Sequence, residues 1–175
     1  LISQIIVSKR SLVILFDKMS RYMKALCGCF SVCNVESMDW DSVNNNVPMF
    51  GFDGETHDGK VVNVYDGDTV KIVMKMFGKF YRFNCRIEGV DTPELRTRNK
   101  KEKAMGIKVR DELRKKILDK MVQVKCGEFD KYGRLLVDII IDNTSITKWL
   151  IENKFAFSYD GGKKKSWAEY LENEN

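Results

Sequence analysis

Histidine and proline are scarce in this chain of 175 residues, which contains one histidine and two prolines. The single histidine, His57, excludes any mechanism or zinc site that needs two or more histidines. The low proline content, with 12 glycines, excludes collagen-like and proline-rich disordered chains. No apolar run approaches the roughly 20 residues of a membrane-spanning helix. The length suits one compact domain plus an extension, or two very small domains, and the 43% hydrophobic and 31% charged residues are ordinary for a globular protein.

Charge is distributed unevenly along the chain. Residues 1–59 carry 5 basic and 7 acidic residues, whereas residues 60–175 carry 25 and 18. The basic residues are densest at 94–116, where ten face four acids. A basic second part suggests an anionic partner, and nucleic acid is the commonest one. Charge alone is explained more simply by a solvated helix face of mixed sign, so this partner needs further support.

The first part of the chain differs from the rest in composition. Residues 1–16 are largely apolar but are interrupted by two basic residues, and no cleavage site of a secretion signal follows them. The composition of residues 42–48 indicates a polar linker. We therefore predict a poorly ordered N-terminal extension over residues 1–50 and a folded domain over residues 51–175, in an intracellular protein.

Five cysteines are an odd number, and without a secretion signal they do not suggest a complete disulfide framework. Three of them cluster as Cys27, Cys29 and Cys33. Acylation of these thiols would tether the chain to a membrane. A weakly structured leader with free thiols explains the cluster more simply, so the tether is an alternative for a chain that we otherwise expect to be a monomer.

From residue 61 onwards the apolar residues follow clear periods. The predicted elements are strands at 61–65, 70–76 and 81–87, a helix with apolar positions from Met105 to Met121, strands at 122–126 and 134–141, a helix capped by Thr144 or Ser145, and a last helix with Trp167. The third strand has an apolar face that begins at Tyr81, and the fifth is expected to be buried on both sides. This order predicts an α+β fold that is mainly a β-barrel, a five-stranded OB-fold barrel with about three α-helices.

Acidic residues stand at two of the predicted strand ends. Asp66-Gly67 is typical of a hairpin turn, but the turn does not need the second acid, Asp68. Asp91 follows the third strand, where a helix cap is the simpler interpretation. If these ends converge, Asp68 and Asp91 with a backbone carbonyl and water would form a Ca²⁺ site. The all-oxygen donors argue against zinc or copper.

Two arginines are placed to join this arrangement. Arg86 lies on the polar face of the third strand, and Arg134 follows the turn Asp130–Gly133. Each is most simply a surface residue. Guanidinium groups nevertheless suit a phosphodiester, because they offer paired donors in a fixed plane. Two arginines and one divalent cation around a phosphate would stabilise the extra charge of a pentacoordinate transition state.

These motifs together resemble the staphylococcal nuclease (thermonuclease) family, a group of OB-fold proteins, over about residues 60–172. The segments that carry the resemblance are Asp66–Val70, Arg86, Val90–Glu94 and Asp130–Arg134, in that order. The resemblance implies that Asp68, Asp91 and the carbonyl of Thr92 hold Ca²⁺. Asp66 would lie next to these ligands without contacting the ion itself. It also implies that Arg86 and Arg134 grip the scissile phosphate.

The same resemblance implies roles for four further residues. Glu94 would orient or deprotonate the attacking water. Lys131 and Tyr132 would hold a neighbouring phosphate. Tyr159, in the segment Ala156–Tyr159, would stack on the nucleotide or contact a phosphate.

The function that the resemblance implies is that of a Ca²⁺-dependent, sugar-nonspecific nuclease. It would hydrolyse DNA and RNA, single-stranded or in frayed duplexes, and leave 3′-phosphate ends. The alternative is a non-catalytic OB-fold module of the same family that binds nucleic acid or a protein. Degenerate modules usually lose the acids or arginines, whereas Asp68, Asp91, Glu94, Arg86 and Arg134 are all present here.

Overall fold

The computed structural model describes residues 40–162 and 165–173. A short 3-10 turn covers Trp40–Ser42, and the described residues from Met49 onwards form one compact unit. Its strands are β1 (Thr56–Val64), β2 (Thr69–Met76), β3 (Lys79–Ile87), β4 (Val90–Asp91), β5 (Met121–Phe129), β6 (Leu135–Ile141), β7 (Thr144–Ser145) and β8 (Phe157–Ser158). The α-helices in the described part are α1 (Lys100–Ile117), α2 (Ile146–Glu152) and α3 (Trp167–Asn173).

Five strands close into a mixed barrel. Antiparallel pairing follows the order β3-β2-β1-β5-β6, and β3 also pairs with β6 in parallel, through Cys85–Ile87 and Leu135–Val137. The short strand β7 adds to the edge of β6, and β4 pairs with β8 in a separate two-stranded sheet. Within the described residues, this barrel and its three helices confirm the predicted α+β OB fold.

The barrel interior is filled by the alternating side chains that the periodicity predicted. In β2, Val70, Ile72 and Met74 are buried while their neighbours face outwards. The same alternation buries Cys85 of β3 and Cys126 of β5 as free thiols. Burial in the apolar interior raises the pKa of Cys85 to about 12 and that of Cys126 to about 11. Both thiols therefore stay protonated at neutral pH and serve as small apolar side chains.

Three details of the sequence prediction were wrong. The helical repeat does not continue to Met121, which begins β5 and is 64% exposed. Tyr81, expected on the apolar face of β3, is 45% exposed because only the second half of that strand packs against β6. β6 is buried on one face alone, since Leu135 and Val137 point inwards while Asp138 and its alternate neighbours are half-buried.

Helix α1 closes one end of the barrel. Val109, Leu113 and Ile117 are buried along one side of it, which is the stripe that the four-residue repeat predicted. Asn99 caps the first turn by accepting hydrogen bonds from two backbone N–H groups. The helix ends at Ile117 because Asp119 and Lys120 bond to the backbone of Val61 in β1. Pairing with a strand 50 or more residues away thus sets a boundary that the local pattern did not show.

The segment before β1 contributes to the core. Phe52 is 4% exposed and contacts the rings of Phe83 and Phe129. The predicted division at residues 50 and 51 stays a prediction, and the cysteine cluster of the extension lies outside the described residues. None of the helices in the described part of the chain is long and apolar enough to cross a lipid bilayer.

Candidate active site

The loop between β1 and β2 is held against the segment that follows β4. The carboxylate of Asp66 accepts the backbone N–H groups of Asp68 at 3.2 Å and Thr69 at 2.8 Å, which closes the turn. Gly67 contacts Thr92 so closely that an added Cβ would lie 2.8 Å from the Thr92 hydroxyl oxygen. Gly67 does not have a positive φ, so this close approach, and not a left-handed conformation, requires glycine here. The contact brings Asp68 beside the chain at Asp91 and Thr92.

Asp68 is a buried carboxylate with defined partners. It is 7% exposed, and it accepts hydrogen bonds from the Arg86 guanidinium and, at 2.8 Å, from the Thr69 hydroxyl. Its backbone carbonyl accepts the N–H of Ile87 at 2.7 Å, which fixes the end of β3 beside it. A buried carboxylate is stable only with such partners, and here the charge is balanced by an arginine.

Arg86 joins the two acidic strand ends. It lies opposite Thr69 in the β2–β3 ladder, so both side chains leave the same face of the sheet. One nitrogen of its guanidinium contacts Asp68, and the other donates to the carbonyl of Val90 at 3.0 Å. Val90 immediately precedes Asp91. A single side chain therefore spans from Asp68 to the residue beside Asp91, which is the convergence that the sequence motifs predicted.

Asp91 and Thr92 complete the oxygen-rich part of the site. They are 3% and 5% exposed, and the pairing of Asp91 with Phe157 of β8 fixes their backbone. Among the described residues, no three His, Cys, Asp or Glu side chains form a metal-binding group. The donors that the sequence predicted for a cation here are the carboxylates of Asp68 and Asp91 and the carbonyl of Thr92, with water. That hard donor set fits Ca²⁺ and does not fit a soft metal.

The carboxyl group of Asp66 has a raised pKa. Burial, and next the negative charge of Asp68, raise its pKa from 3.8 to about 6. The backbone N–H groups that it accepts lower the pKa but do not offset these two effects. Asp66 positions Asp68 through the hydrogen bonds that close the turn. When ionised, its carboxylate adds negative potential beside Asp68.

Arg134 reaches the same place from the turn between β5 and β6. Its guanidinium donates to the carboxylate of Asp130 at 2.8 Å and to the hydroxyl of Thr69 at 3.3 Å. Because Thr69 also bonds to Asp68, the two predicted arginines are connected through one threonine. Although burial acts to raise it, the pKa of Asp130 is lowered overall, because its carboxylate accepts hydrogen bonds from the backbone and side chain of Arg134.

Lys131 and Tyr132 lie exposed on this second turn. Tyr132 is 73% exposed, and the Lys131 ammonium stands 5.1 Å from the centre of its ring. The Arg134 guanidinium lies 5.7 Å from the same ring. The turn thus presents two cations and an aromatic face beside the site, which suits a phosphate and its base.

Glu94 is exposed at the edge of a cavity next to the oxygen-rich residues. This cavity has a volume of about 220 Å³ and is lined by Asp91, Thr92, Glu94, Glu102 and Lys165, among others. The carboxylate of Glu102 in α1 accepts the backbone N–H of Glu94 at 3.3 Å. The helix start therefore positions the chain at Glu94, while the carboxylate of Glu94 borders space that water can enter.

Tyr159 directly follows β8, the strand that pairs with β4. Its backbone N–H donates to the carbonyl of Gly89 at 3.0 Å, directly after the β4–β8 pairing. The tyrosine is half-buried. Its backbone is thereby fixed beside β4, and whether its ring contacts a nucleotide stays a prediction.

Sequence reasoning gave no role to two residues that organise this site. Thr69 links Asp68 to Arg134, and Asp130 holds the Arg134 guanidinium. The Asp-x-x-Gly turn signal at 130–133 could have indicated Asp130. The partners of Thr69 depend on the β2–β3 register and on a residue 65 positions later, so no local signal points to it.

Comparison with known proteins adds an independent finding. A family model described as staphylococcal nuclease homologue matches residues 84–175, from β3 to the end of the chain. An uncharacterized protein of Methanocaldococcus jannaschii is 34% identical over 143 residues, and the match covers 69% of this chain and 67% of that protein. The family match includes Arg86, Asp91, Glu94 and Arg134, whereas Asp68 precedes it.

Proposed function

Because the chain belongs to the staphylococcal nuclease homologue family, we propose that it is a Ca²⁺-dependent nuclease that hydrolyses phosphodiester bonds of DNA and RNA. Family membership supports nuclease-type chemistry. The cation, the substrates and the residues that do the chemistry are our proposal from the geometry of the site.

One observation carries this proposal most directly. Arg86 contacts both Asp68 and the Val90 carbonyl, and Arg134 reaches Thr69 beside the same carboxylate. Two guanidinium groups therefore border a buried acidic site, one from strand β3 and one from the turn between β5 and β6. Paired cations next to carboxylates with space for a divalent ion are the arrangement that stabilises charge on a phosphate.

Asp68, Asp91 and the carbonyl of Thr92 would hold the Ca²⁺ ion. When bound, the ion would supply positive charge that polarises the phosphate and lowers the pKa of nearby water. Asp66 would keep Asp68 in place through the closed turn, since its carboxylate bonds to the backbone at Asp68 and Thr69.

The arginines would act on the phosphate itself. Their planar donors match two phosphate oxygens, and the charge on those oxygens increases as the fifth bond to phosphorus forms. Arg86 is oriented by strand β3, and Arg134 is oriented by Asp130. This prior orientation would lower the cost of ordering both groups around the phosphate.

Glu94 would act as the base. Its carboxylate would take a proton from the attacking water, whose oxygen bonds to phosphorus while the bond to the 5′ oxygen breaks. The 5′ oxygen leaves with a proton from solvent, and the products carry a 3′-phosphate and a 5′-hydroxyl. General-base assistance of this kind contributes about 10²- to 10⁴-fold in rate.

Lys131, Tyr132 and Tyr159 would bind the nucleotide next to the scissile bond. The exposed ring of Tyr132 with its two neighbouring cations supports this role. Because the chemistry uses the phosphate and not the sugar, the enzyme would accept both DNA and RNA, when single strands or frayed ends are accessible.

It would act as a monomer, and acylation at Cys27, Cys29 or Cys33 stays a prediction.

A plasmid-degradation assay tests the proposal. The full chain should degrade DNA with Ca²⁺, lose that activity in excess chelator, and lose it on Asp68→Ala with Ca²⁺ present. A folded wild-type chain that binds DNA but cuts neither DNA nor RNA under any of these conditions would instead be the non-catalytic binding module. Full activity in chelator, unchanged in Asp68→Ala, would refute the Ca²⁺ site.

A further inference from the structure

An exposed apolar patch, here called the tip patch, lies at the turn between β2 and β3. Its members are Met49, Phe50, Phe77 and Phe80, which are 96%, 66%, 81% and 76% exposed. The ring centres of Phe50 and Phe77 lie 6.2 Å apart, so the segment before β1 and the hairpin turn share one surface. Exposed apolar side chains that are grouped in this way mark a contact with a protein or a membrane.

Phe77 occupies a backbone conformation that phenylalanine rarely adopts. Phe77 and Gly78 form the two-residue turn between β2 and β3, and their φ angles are both positive, at 50° and 78°. Asparagine followed by glycine suits such a turn best, because asparagine tolerates the left-handed region better than a bulky side chain does. The turn is therefore less stable with phenylalanine than with asparagine. A strained residue whose ring is largely solvated indicates a role outside the fold.

The charge around the tip patch has one sign. Between Val70 and Ile87 the hairpin contains five basic residues and no acid. Lys75 and Lys79, the two nearest to the turn, are exposed, and neither forms an ion pair with an acid in the part of the chain that the structure describes. Lysines beside exposed apolar rings are typical of segments that lie on an anionic membrane, where ammonium groups meet the headgroups and the rings enter the acyl boundary.

A lipid surface fits this combination better than a second copy of the chain or a nucleic acid does. Two copies joined through the tip patch would bring Lys75 and Lys79 of one against the same lysines of the other, and like charges repel. A single strand of nucleic acid would stack on the rings, but Met49, the most exposed member of the patch, offers no stacking face. The boundary of a bilayer accepts protruding apolar side chains of any shape.

The chain enters its compact unit at this patch. The unit begins at Met49, and fifteen residues separate Met49 from Cys33, the last cysteine of the predicted acylation cluster. A single acyl chain gives only marginal membrane binding, and stable attachment takes a second signal. The tip patch would supply that second signal to an acylated chain, and a weaker, reversible contact to a chain with free thiols.

We propose that the tip patch is a docking surface for an anionic membrane. Its three phenylalanines would enter the acyl boundary, and Lys75 and Lys79 would contact the headgroups. Thr69 and Arg86 of the candidate active site lie at the other end of the same hairpin. Eight residues separate Thr69 from Phe77, about 26 Å at roughly 3.3 Å per residue, so docking would leave the site accessible. The proposal does not depend on the nuclease function, because it uses no residue of that site.

Co-sedimentation with vesicles tests the docking surface. The full chain, prepared with free thiols, is mixed with vesicles of phosphatidylcholine and phosphatidylserine at about 0.1 M salt. Phe77→Asn should lower the partition coefficient about tenfold or more, because a phenylalanine ring no longer leaves water. Lys75→Gln should lower it about fivefold when phosphatidylserine is present, and should have no effect on pure phosphatidylcholine.

Two substitutions on α2 are matched controls. Ile151→Ser removes an exposed apolar side chain and Lys148→Gln removes an exposed cation, and neither residue belongs to the tip patch. Both variants should bind vesicles as the wild type does. Phe77→Trp should retain binding, because tryptophan also partitions into the membrane interface. The Tm of Phe77→Asn should rise by about 3 °C, because the strain in the turn is relieved, so its weaker binding would not result from unfolding.

Equal vesicle binding by wild type, Phe77→Asn and Lys75→Gln would overturn the docking surface. Weaker oligonucleotide binding by these two variants, with vesicle binding unchanged, would also overturn it and assign the tip to nucleic acid. Without vesicles, both variants should cut a short oligonucleotide as the wild type does. A wild type that cuts nothing but binds vesicles through Phe77 would contradict the nuclease proposal alone, whereas active chains with equal vesicle binding would contradict the docking surface alone.

Discussion

The two turns that border the site are built alike and differ in their electrostatics. Asp66 begins the β1–β2 turn and accepts the N–H groups of Asp68 and Thr69. Asp130 begins the β5–β6 turn and accepts those of Tyr132 and Arg134 at 2.9 Å each. Each aspartate thus closes a turn through its own side chain and delivers the next functional residue to the site.

The pKa values of these two aspartates move in opposite directions. Burial and the neighbouring Asp68 carboxylate raise the pKa of Asp66 to about 6. Burial acts to raise the pKa of Asp130 as well, but its hydrogen bonds from Arg134 lower it overall. For the pKa of Asp66, burial and the Asp68 charge outweigh the backbone hydrogen bonds, whereas for the pKa of Asp130 the hydrogen bonds from Arg134 and Tyr132 outweigh burial. In the proposed function, one turn would supply negative charge for a cation, and the other would supply positive charge for a phosphate.

The largest expected effect comes from replacing Arg86, which links the acidic β1–β2 turn to β4. Arg86→Lys keeps the charge but loses the paired donors, so kcat should fall by on the order of 10²-fold or more. Arg134→Lys should follow the same pattern, and Arg110→Lys on α1 is the matched control. A mere phosphate contact would instead weaken binding in a salt-dependent way and leave kcat unchanged. Steady-state kinetics on a short oligonucleotide, with circular dichroism to verify folding, distinguish the two patterns.

Glu94 lies outside both turns. Its replacement tests whether the residues of the two turns are sufficient for the chemistry. Glu94→Gln keeps the size of the side chain but removes the base, so kcat should fall at least about a hundredfold. Thermal stability and Ca²⁺ binding should change little, because Glu94 is exposed and precedes α1, which begins only at Lys100. Glu112→Gln on α1 is the control. A kcat within a few-fold of wild type would mean that Glu94 is not the base.

Asp130→Asn tests how the β5–β6 turn holds Arg134. Asparagine can still close the turn, but it loses the charged partner of the Arg134 guanidinium. The less firmly held arginine should lower kcat by on the order of tenfold, because misplaced catalytic groups lose rate steeply. Asp142→Asn, an exposed turn residue between β6 and β7, should have no effect. If both variants have wild-type kcat, Arg134 does not depend on Asp130 for its orientation.

Asp66→Asn should produce the smallest change, and it should affect stability. A carboxyl whose pKa is higher in the folded chain weakens folding once it ionises, so stability in chelator should fall as pH rises from 3.8 through about 6. Asparagine avoids this loss and keeps the acceptor oxygen. Its Tm in chelator should exceed that of wild type by about 3 °C near pH 8 and by less near pH 5. A lower Tm near pH 8 would mean that the turn requires the ionised form.

Much of the fold could be predicted because its signals are local. The alternation from Val70 to Met76 and the stripe from Val109 to Ile117 each describe one face of one element. Met121 was misplaced because Val61 of β1 ends the helix through hydrogen bonds that no local pattern contains.

Some residues of the candidate site could also be predicted from local signals, whereas others could not. Asp68, Asp91 and the arginines stand in short motifs, and so the sequence could indicate them. The roles of Thr69 and Gly67 arise from contacts with Arg134 and Thr92, which are distant along the chain. Such roles depend on register and close approach, and only the folded structure shows them.

We propose that Asp68 is the carboxylate through which the acidic turn holds Ca²⁺ for hydrolysis. Calorimetric titration of Ca²⁺, paired with cleavage of a labelled oligonucleotide, tests it in wild type and Asp68→Asn. We expect that the wild type binds Ca²⁺ and cuts the oligonucleotide, and that folded Asp68→Asn does neither. An Asp68→Asn chain that binds Ca²⁺ and cuts as the wild type does would contradict it.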